Sequence, residues 1–320
     1  MMATVDTASY PSREVALPAR KRRWKRFYKN WELYLFALPT LAYFVIFHYI
    51  PMYGLQIAFK DFIPSKGIWG SEWVGFAHLQ RFFDSYYFWS LIQNTLGISV
   101  YELLVGMPVP IVLALALNEL RNGAYKKFVQ TITYAPHFIS VVVLSGMVIA
   151  FLSPGSGLVN LAIKGLGGQP VPFLTDPAWF KTVFVFSGVW QNMGWGTIIY
   201  LAALAGVDPQ QHEAAMIDGA TRMQRIVHIN LPNILPTIVI LMILNVGSFM
   251  SVGFEKVFLL QNPLNMDASD VISTYVYRSG LVQGQYSFAS AIGLFNSVIN
   301  FVLLIVVNRV ARRINETSLW

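Results

Sequence analysis

Apolar residues gather along this chain into six long runs, Leu33 to Ile50, Leu91 to Leu117, Val129 to Leu152, Thr182 to Val207, Ile234 to Gly253 and Phe288 to Asn308, separated by polar stretches. A helix needs about 20 apolar residues to cross ~30 Å of hydrocarbon, and each run approaches or exceeds that length. Backbone in lipid must satisfy its own hydrogen bonds, and runs this long exceed barrel strands, so the pattern predicts six spanning helices. Within the runs only Glu102, His48 and His137 carry an acidic, basic or imidazole group. Pro39, Pro108, Pro110, Pro136 and Pro236 fall inside them and predict kinks. The resulting division is a basic segment 1–32, a six-helix domain 33–308 and a tail 309–320.

Composition agrees: 12% of the 320 residues are charged and 55% hydrophobic, against about a quarter charged in soluble chains. The absence of cysteine excludes disulfides, thiolate metal sites and Cys nucleophiles. The basic cluster from Arg20 to Lys29 is followed by an apolar run without a small-residue cleavage pattern, so the first helix is expected to stay in the protein.

If the loops alternate sides, sixteen Lys and Arg fall with the termini and the 118–128 and 208–233 loops, and seven on the other side. Positive charge is retained inside, which puts both termini and the 208–233 loop in the cytoplasm of a multi-pass inner-membrane protein. Beside a spanning helix, the cluster Lys21-Arg22-Arg23-Trp24-Lys25-Arg26 signals orientation on anionic lipid and not nucleic acid. The outer loops 51–90 and 254–287 are long. The aromatics Phe82, Phe83, Tyr86, Tyr87, Phe88 and Trp89 suit either an interfacial belt or a docking surface.

The 208–233 loop reads as two capped helices. Asp208 can cap the first, with Pro209 at its first position and Gln211 where a capping box wants Gln; Gly219 suits a left-handed stop; Thr221 and Gln224 repeat the box for a second helix running to Ile229. Ala214 and Ala215 thin one side of the first helix and Glu213 and Asp218 charge it, as a docking element would. A plain connector between spans is the alternative, although connectors are usually shorter.

Glu213-Ala214-Ala215, Asp218-Gly219-Ala220, then Ile229, Leu231 and Pro232 resemble the EAA loop of ATP-binding-cassette (ABC) importer permeases in composition and spacing. Ile226 departs from the aromatic often found there. Asn94-Thr95-Leu96, Gly157-Leu158-Val159-Asn160 and Tyr275-Val276-Tyr277 look like the carbohydrate-uptake branch, and within it the permeases importing alginate and other oligosaccharides. The resemblance implies a type I (maltose-type) permease fold. It implies a second, similar but non-identical permease chain, two ATPase subunits carrying ATP and Mg, and a periplasmic or extracellular solute-binding protein. This chain has no Gly-x-x-x-x-Gly-Lys-Ser/Thr of its own; Gly165-Leu166-Gly167-Gly168 lacks the lysine.

Polar side chains within spans mark candidate pathway positions. Gln191, Asn192 and Trp195 lie on the fourth run, Asn245, Ser248 and Phe249 on the fifth, and Asn296 and Asn300 on the sixth, all near mid-bilayer. Amides beside aromatic rings suit a sugar, and the same residues also glue helices together. Glu102 is either a pathway group or paired with a neighbouring helix or subunit. His48 and His137 read as structural, since neither has a second ligand at metal spacing. No catalytic constellation and no metal site are expected. A secondary transporter would want paired intramembrane charges or matching broken helices, and a membrane enzyme a convergent acid, base or metal set; neither pattern is present.

Overall fold

The computed structural model describes residues 29–315 and 318–319, which are mostly helical, with one short antiparallel ribbon among them pairing Lys60–Asp61 with Glu72–Trp73. The basic cluster up to residue 28 lies outside the described residues. Two compact units are separated near residue 55. The first contains α1, Trp31–Phe44, which continues through a π-helical turn at Val45–Tyr49; all of its large apolar side chains are exposed, as befits a lipid-facing or partner-facing helix.

In the second unit, the second run becomes α2, Phe88–Gly106, and α3, Pro108–Glu119, which meet at Met107. Pro108 and Pro110 lack the N–H groups that would bond back across this junction, so the ladder breaks there while the helical path continues. The third run departs from expectation. It forms α4, Ala124–Tyr134, and α5, Val141–Leu152, bent by 102° about a 3₁₀ turn at Ala135–Phe138. Pro136 stops the first helix, and the Ser140 hydroxyl caps the second by accepting from the Val143 N–H at 3.3 Å. The stretch is a broken span or a re-entrant element, so the kink expected at Pro136 is a right-angle bend between two helices instead of a deflection within one.

The fourth run is α6, Pro177–Ala205, capped by Asp176. At about 1.5 Å per residue its 29 residues reach roughly 43 Å. It packs on α2, α3 and the α4–α5 corner. Two glycines allow that approach: at Gly194 a Cβ would overlap the Thr133 carbonyl, and at Gly196 one would lie 3.2 Å from the Pro110 ring. The fifth run is α9, Leu231–Gly247, which ends six residues before the apolar stretch does, and the sixth is α11, Tyr286–Asn315, which carries helix beyond residue 308. Between them α10, Phe254–Leu260, packs back on α5. Two apolar clusters tie these parts together, one uniting Ile98, Phe184, Val185, Val257 and Val271, the other Ala114, Tyr200, Leu204 and Ile234.

Among the described residues, four helices are both long and apolar enough to cross a membrane, or five if the bent pair is one span. The remaining expected span, the fourth run in α6, has the length, but Trp190, Gln191, Asn192 and Trp195 dilute its apolar character.

Candidate functional site: a central cavity and a capped turn

Behind α6 lies a cavity of about 470 Å³, walled by α2, α3, α6, α9 and the segment that follows α9. That volume is within the ~300–1,000 Å³ typical of small-ligand sites. Its polar lining includes Ser99, Glu102, Asn192, Asn245, Ser248 and Ser251.

The wall exists because α9 stops early. Gly247 packs against Leu304, where a Cβ would sit 2.9 Å from a side-chain methyl, and at Ser248 the backbone leaves the helix. Residues 248–253 then run unwound, with side chains from elsewhere holding their backbone. Asn300 accepts from the Met250 N–H at 2.8 Å and donates to the Ser251 hydroxyl at 3.0 Å. Ser99 donates to the Phe249 carbonyl, and Ser273 to that of Val252. Irregular backbone at membrane depth is tolerated where protein groups satisfy it or a polar cavity receives it, and both conditions hold here.

Of the eight candidate pathway residues, Asn192, Asn245, Ser248 and Phe249 line this cavity. The others stand elsewhere. Gln191 is buried and donates to the Ile139 carbonyl at 2.8 Å, fixing the α4–α5 corner. Trp195 stacks on His137, ring centroids 4.4 Å apart, while His137 contacts the Asn192 amide oxygen at 3.0 Å. The imidazole is thus a positioning group for the corner, as its isolation suggested. Asn300 clamps the unwound segment, and the Asn296 amide oxygen is buried with no partner among the described residues. Ser248 and Phe249 do not share a helical face with Asn245, because the helix has ended.

Glu102 lies on the cavity wall, and no donor among the described residues reaches its carboxylate. Lys256 on α10 is the cation that feels its charge. The lysine is 9% exposed, donates to the Phe184 carbonyl at 2.5 Å and stands 4.4 Å from the centre of the Phe184 ring. Sequence reasoning saw Lys256 only as a loop charge. The apolar stretch around it, Val257 to Leu260, was the available sign of burial.

The 208–233 turn follows its expected chemistry with two differences. Its first helix is α7, Pro209–Ile217, capped by Asp208, whose carboxylate accepts from the Gln210 N–H at 2.9 Å. Gly219 has φ +78°, and the Gly219 and Ala220 N–H groups bond back to Met216 and Ala215, closing a Schellman stop. Thr221 and Gln224 form the reciprocal box that opens α8, Arg222–Arg225. Gln211, however, accepts from Asn233 at 3.1 Å and ties α7 to α9 instead of completing a box. And α8 is no separate helix: a π turn at Ile226–Asn230 carries it into α9, with Ile229, Leu231 and Pro232 inside the continuous path. On α7 the side chains of Glu213, Ala214, Met216, Ile217 and Asp218 are exposed, Ile217 at 87%. A cleft of about 280 Å³ separates α7 from α8.

The chain belongs to the family of binding-protein-dependent transport system inner membrane components, whose pattern matches residues 106–316. Among its relatives in Bacillus subtilis (strain 168), Protein LplB is 45% identical over 90% of this chain and 91% of its own length. The polygalacturonan/rhamnogalacturonan transport system permease protein YteP of the same organism is 43% identical over 94% of each. A chain of the crystal structure of a bacterial ABC transporter involved in the import of the acidic polysaccharide alginate superposes with a TM-score of 0.85 at 44% identity, covering 92% of this chain and 99% of that one. A second crystal structure, in complex with an alginate pentasaccharide-bound periplasmic protein, gives a TM-score of 0.86 over 93% of this chain and 100% of that one.

Proposed function

We propose that this chain is one of two permease subunits of an ABC importer, that it spans the inner membrane six times with both termini in the cytoplasm, and that it passes an oligosaccharide delivered by an external solute-binding protein. The fourth run, α6, completes the six. ATP and Mg are handled by two separate ATPase subunits, and the 208–233 turn couples them to the pathway. The observation that carries the reading is the exposed, doubly capped α7 turn, joined to a helix whose other end forms the wall of a polar cavity. An apolar, charged and rigid surface of this kind suits an ATPase cleft. Glu213, Ala214, Ala215, Asp218, Gly219 and Ala220 form it, and Ile229, Leu231 and Pro232 connect it to α9.

The similarity to a permease of a pentasaccharide-loaded binding-protein complex supports the external partner and the sugar cargo. Alginate, the cargo in that structure's description, is one arm of the test. The experiment places Glu213→Ala and Gly219→Val separately in the complete transporter and measures assembly, ATP hydrolysis and uptake, with a panel of loaded binding proteins. An exposed ion pair contributes only ~0–1 kcal/mol, so Glu213→Ala should leave assembly intact and lower cargo-stimulated hydrolysis. Any side chain at Gly219 meets a left-handed backbone, costs about 1 kcal/mol or more and re-aims α7. Wild-type uptake in both variants would remove the turn from the mechanism.

A further inference from the structure

The charge lining the cavity points to a specificity that family membership does not set. Of the residues lining it, Glu102 alone carries a formal charge; no Lys, Arg or His is among them. The cation beside the wall, Lys256, does not line the cavity: its ammonium donates to the Phe184 carbonyl and stands over the Phe184 ring, 3.0 Å from where a Cβ on Gly188 would be. The remaining polar lining consists of neutral amides and hydroxyls, Asn192, Asn245, Ser99, Ser248 and Ser251. A carboxylate without a donor, set among such groups in partly water-excluded space, accepts hydrogen bonds from hydroxyls and repels a second carboxylate.

We infer that Glu102 is a specificity-determining residue of the pathway: it accepts hydrogen bonds from sugar hydroxyls and disfavours uronates, so the cargo passing this chain is a neutral oligosaccharide. The inference rests on the import reading above and narrows its substrate class. It separates this chain from the relatives whose descriptions name acidic polysaccharides. The side chain is placed for the role by α2: Ser99, three residues earlier, faces the same cavity and ties α2 to the unwound wall through the Phe249 carbonyl. The acceptor therefore stands on a fixed element beside the amides with which it would share a sugar ring.

The test is equilibrium binding to the purified complete transporter in nanodiscs, held open to the outside without its binding protein, so that only the membrane cavity selects. The probes are a neutral tetrasaccharide and a tetrauronate of equal length. The wild-type complex is expected to bind the neutral sugar at least about tenfold more tightly, and 1 M salt to narrow the gap by strengthening uronate binding. Glu102→Gln keeps the size and an acceptor oxygen and removes the charge; it should raise uronate affinity by about tenfold with a smaller change for the neutral sugar. Uronate binding as tight as neutral binding in the wild type overturns the inference without any variant, as does an unchanged ratio in Glu102→Gln. A complex that binds neither sugar, yet couples hydrolysis to some other loaded binding protein, overturns the oligosaccharide reading itself, which the uptake experiment detects separately.

Discussion

Replacing Asn300 by leucine gives the sharpest test of how the cavity wall is held. Its amide accepts from the Met250 N–H at 2.8 Å and donates to the Ser251 hydroxyl at 3.0 Å. Met250 is 3% exposed, so without the acceptor its N–H has neither water nor helix to bond to. A buried donor left unsatisfied costs ~1–3 kcal/mol. The bond to Ser251 adds about 0.6 kcal/mol, the mean found for side-chain hydrogen bonds in membranes. Leucine matches the amide in size and restores neither bond, so the expected loss is roughly 2–3 kcal/mol. At ~2–4 °C per kcal/mol this lowers the midpoint of thermal unfolding of the purified transporter by about 4–12 °C. Asn300→Asp keeps the acceptor for the Met250 N–H and should recover part of the loss. Cargo affinity per folded complex should be little changed, because Asn300 does not line the cavity. A leucine variant that melts with the wild type, or one that keeps its stability and loses cargo binding, would refute the clamp and return Asn300 to the pathway.

Two further substitutions probe the scaffold. Gly194→Ala drives a Cβ into the Thr133 carbonyl and within 2.9 Å of the Tyr134 ring, so it should destabilise by about 1–3 kcal/mol or more in a thermal-unfolding assay, whereas Gly146→Ala, with open space around it, should be near neutral. Asn160 is fully buried; it donates to the carbonyls of Leu152, Ser153 and Val171 and accepts from the Val171 N–H, so Asn160→Ala should cost roughly 2–4 kcal/mol and expose the 153–171 loop to limited proteolysis.

The features legible in the sequence were those with a local cause. Asp208, Gly219, Thr221 and Gln224 act within a few residues of themselves, and the structure shows each in the conformation its chemistry requires. Asn192, Asn245, Ser248 and Phe249 were found because polar or aromatic groups at mid-span have few places to go. The misplaced features depend on distant partners. The bend at Pro136 is set by packing on α6 through Gly194, and hydropathy does not register direction. Gln191, Trp195 and Asn300 were chosen for their composition, and only tertiary structure distinguishes an amide that lines the cavity from one that holds a backbone carbonyl or N–H. Lys256 was assigned to water because charge was counted by loop, while its apolar neighbours carry it inward.

The continuity of α8 with α9 has a mechanical side. Residues Arg222–Gly247 form one 26-residue helical path, about 39 Å long, with the capped turn at one end and the unwound wall at the other. A rod of that length magnifies angle into displacement: a tilt of ~5° imposed at the capped turn sweeps the far end through roughly 3 Å, comparable to a hydrogen-bond length. The same sweep is enough to separate the Met250 N–H from the Asn300 amide. Small rotations at a protein surface would thereby become the making and breaking of individual bonds deep in the bundle, with neither end needing to unfold.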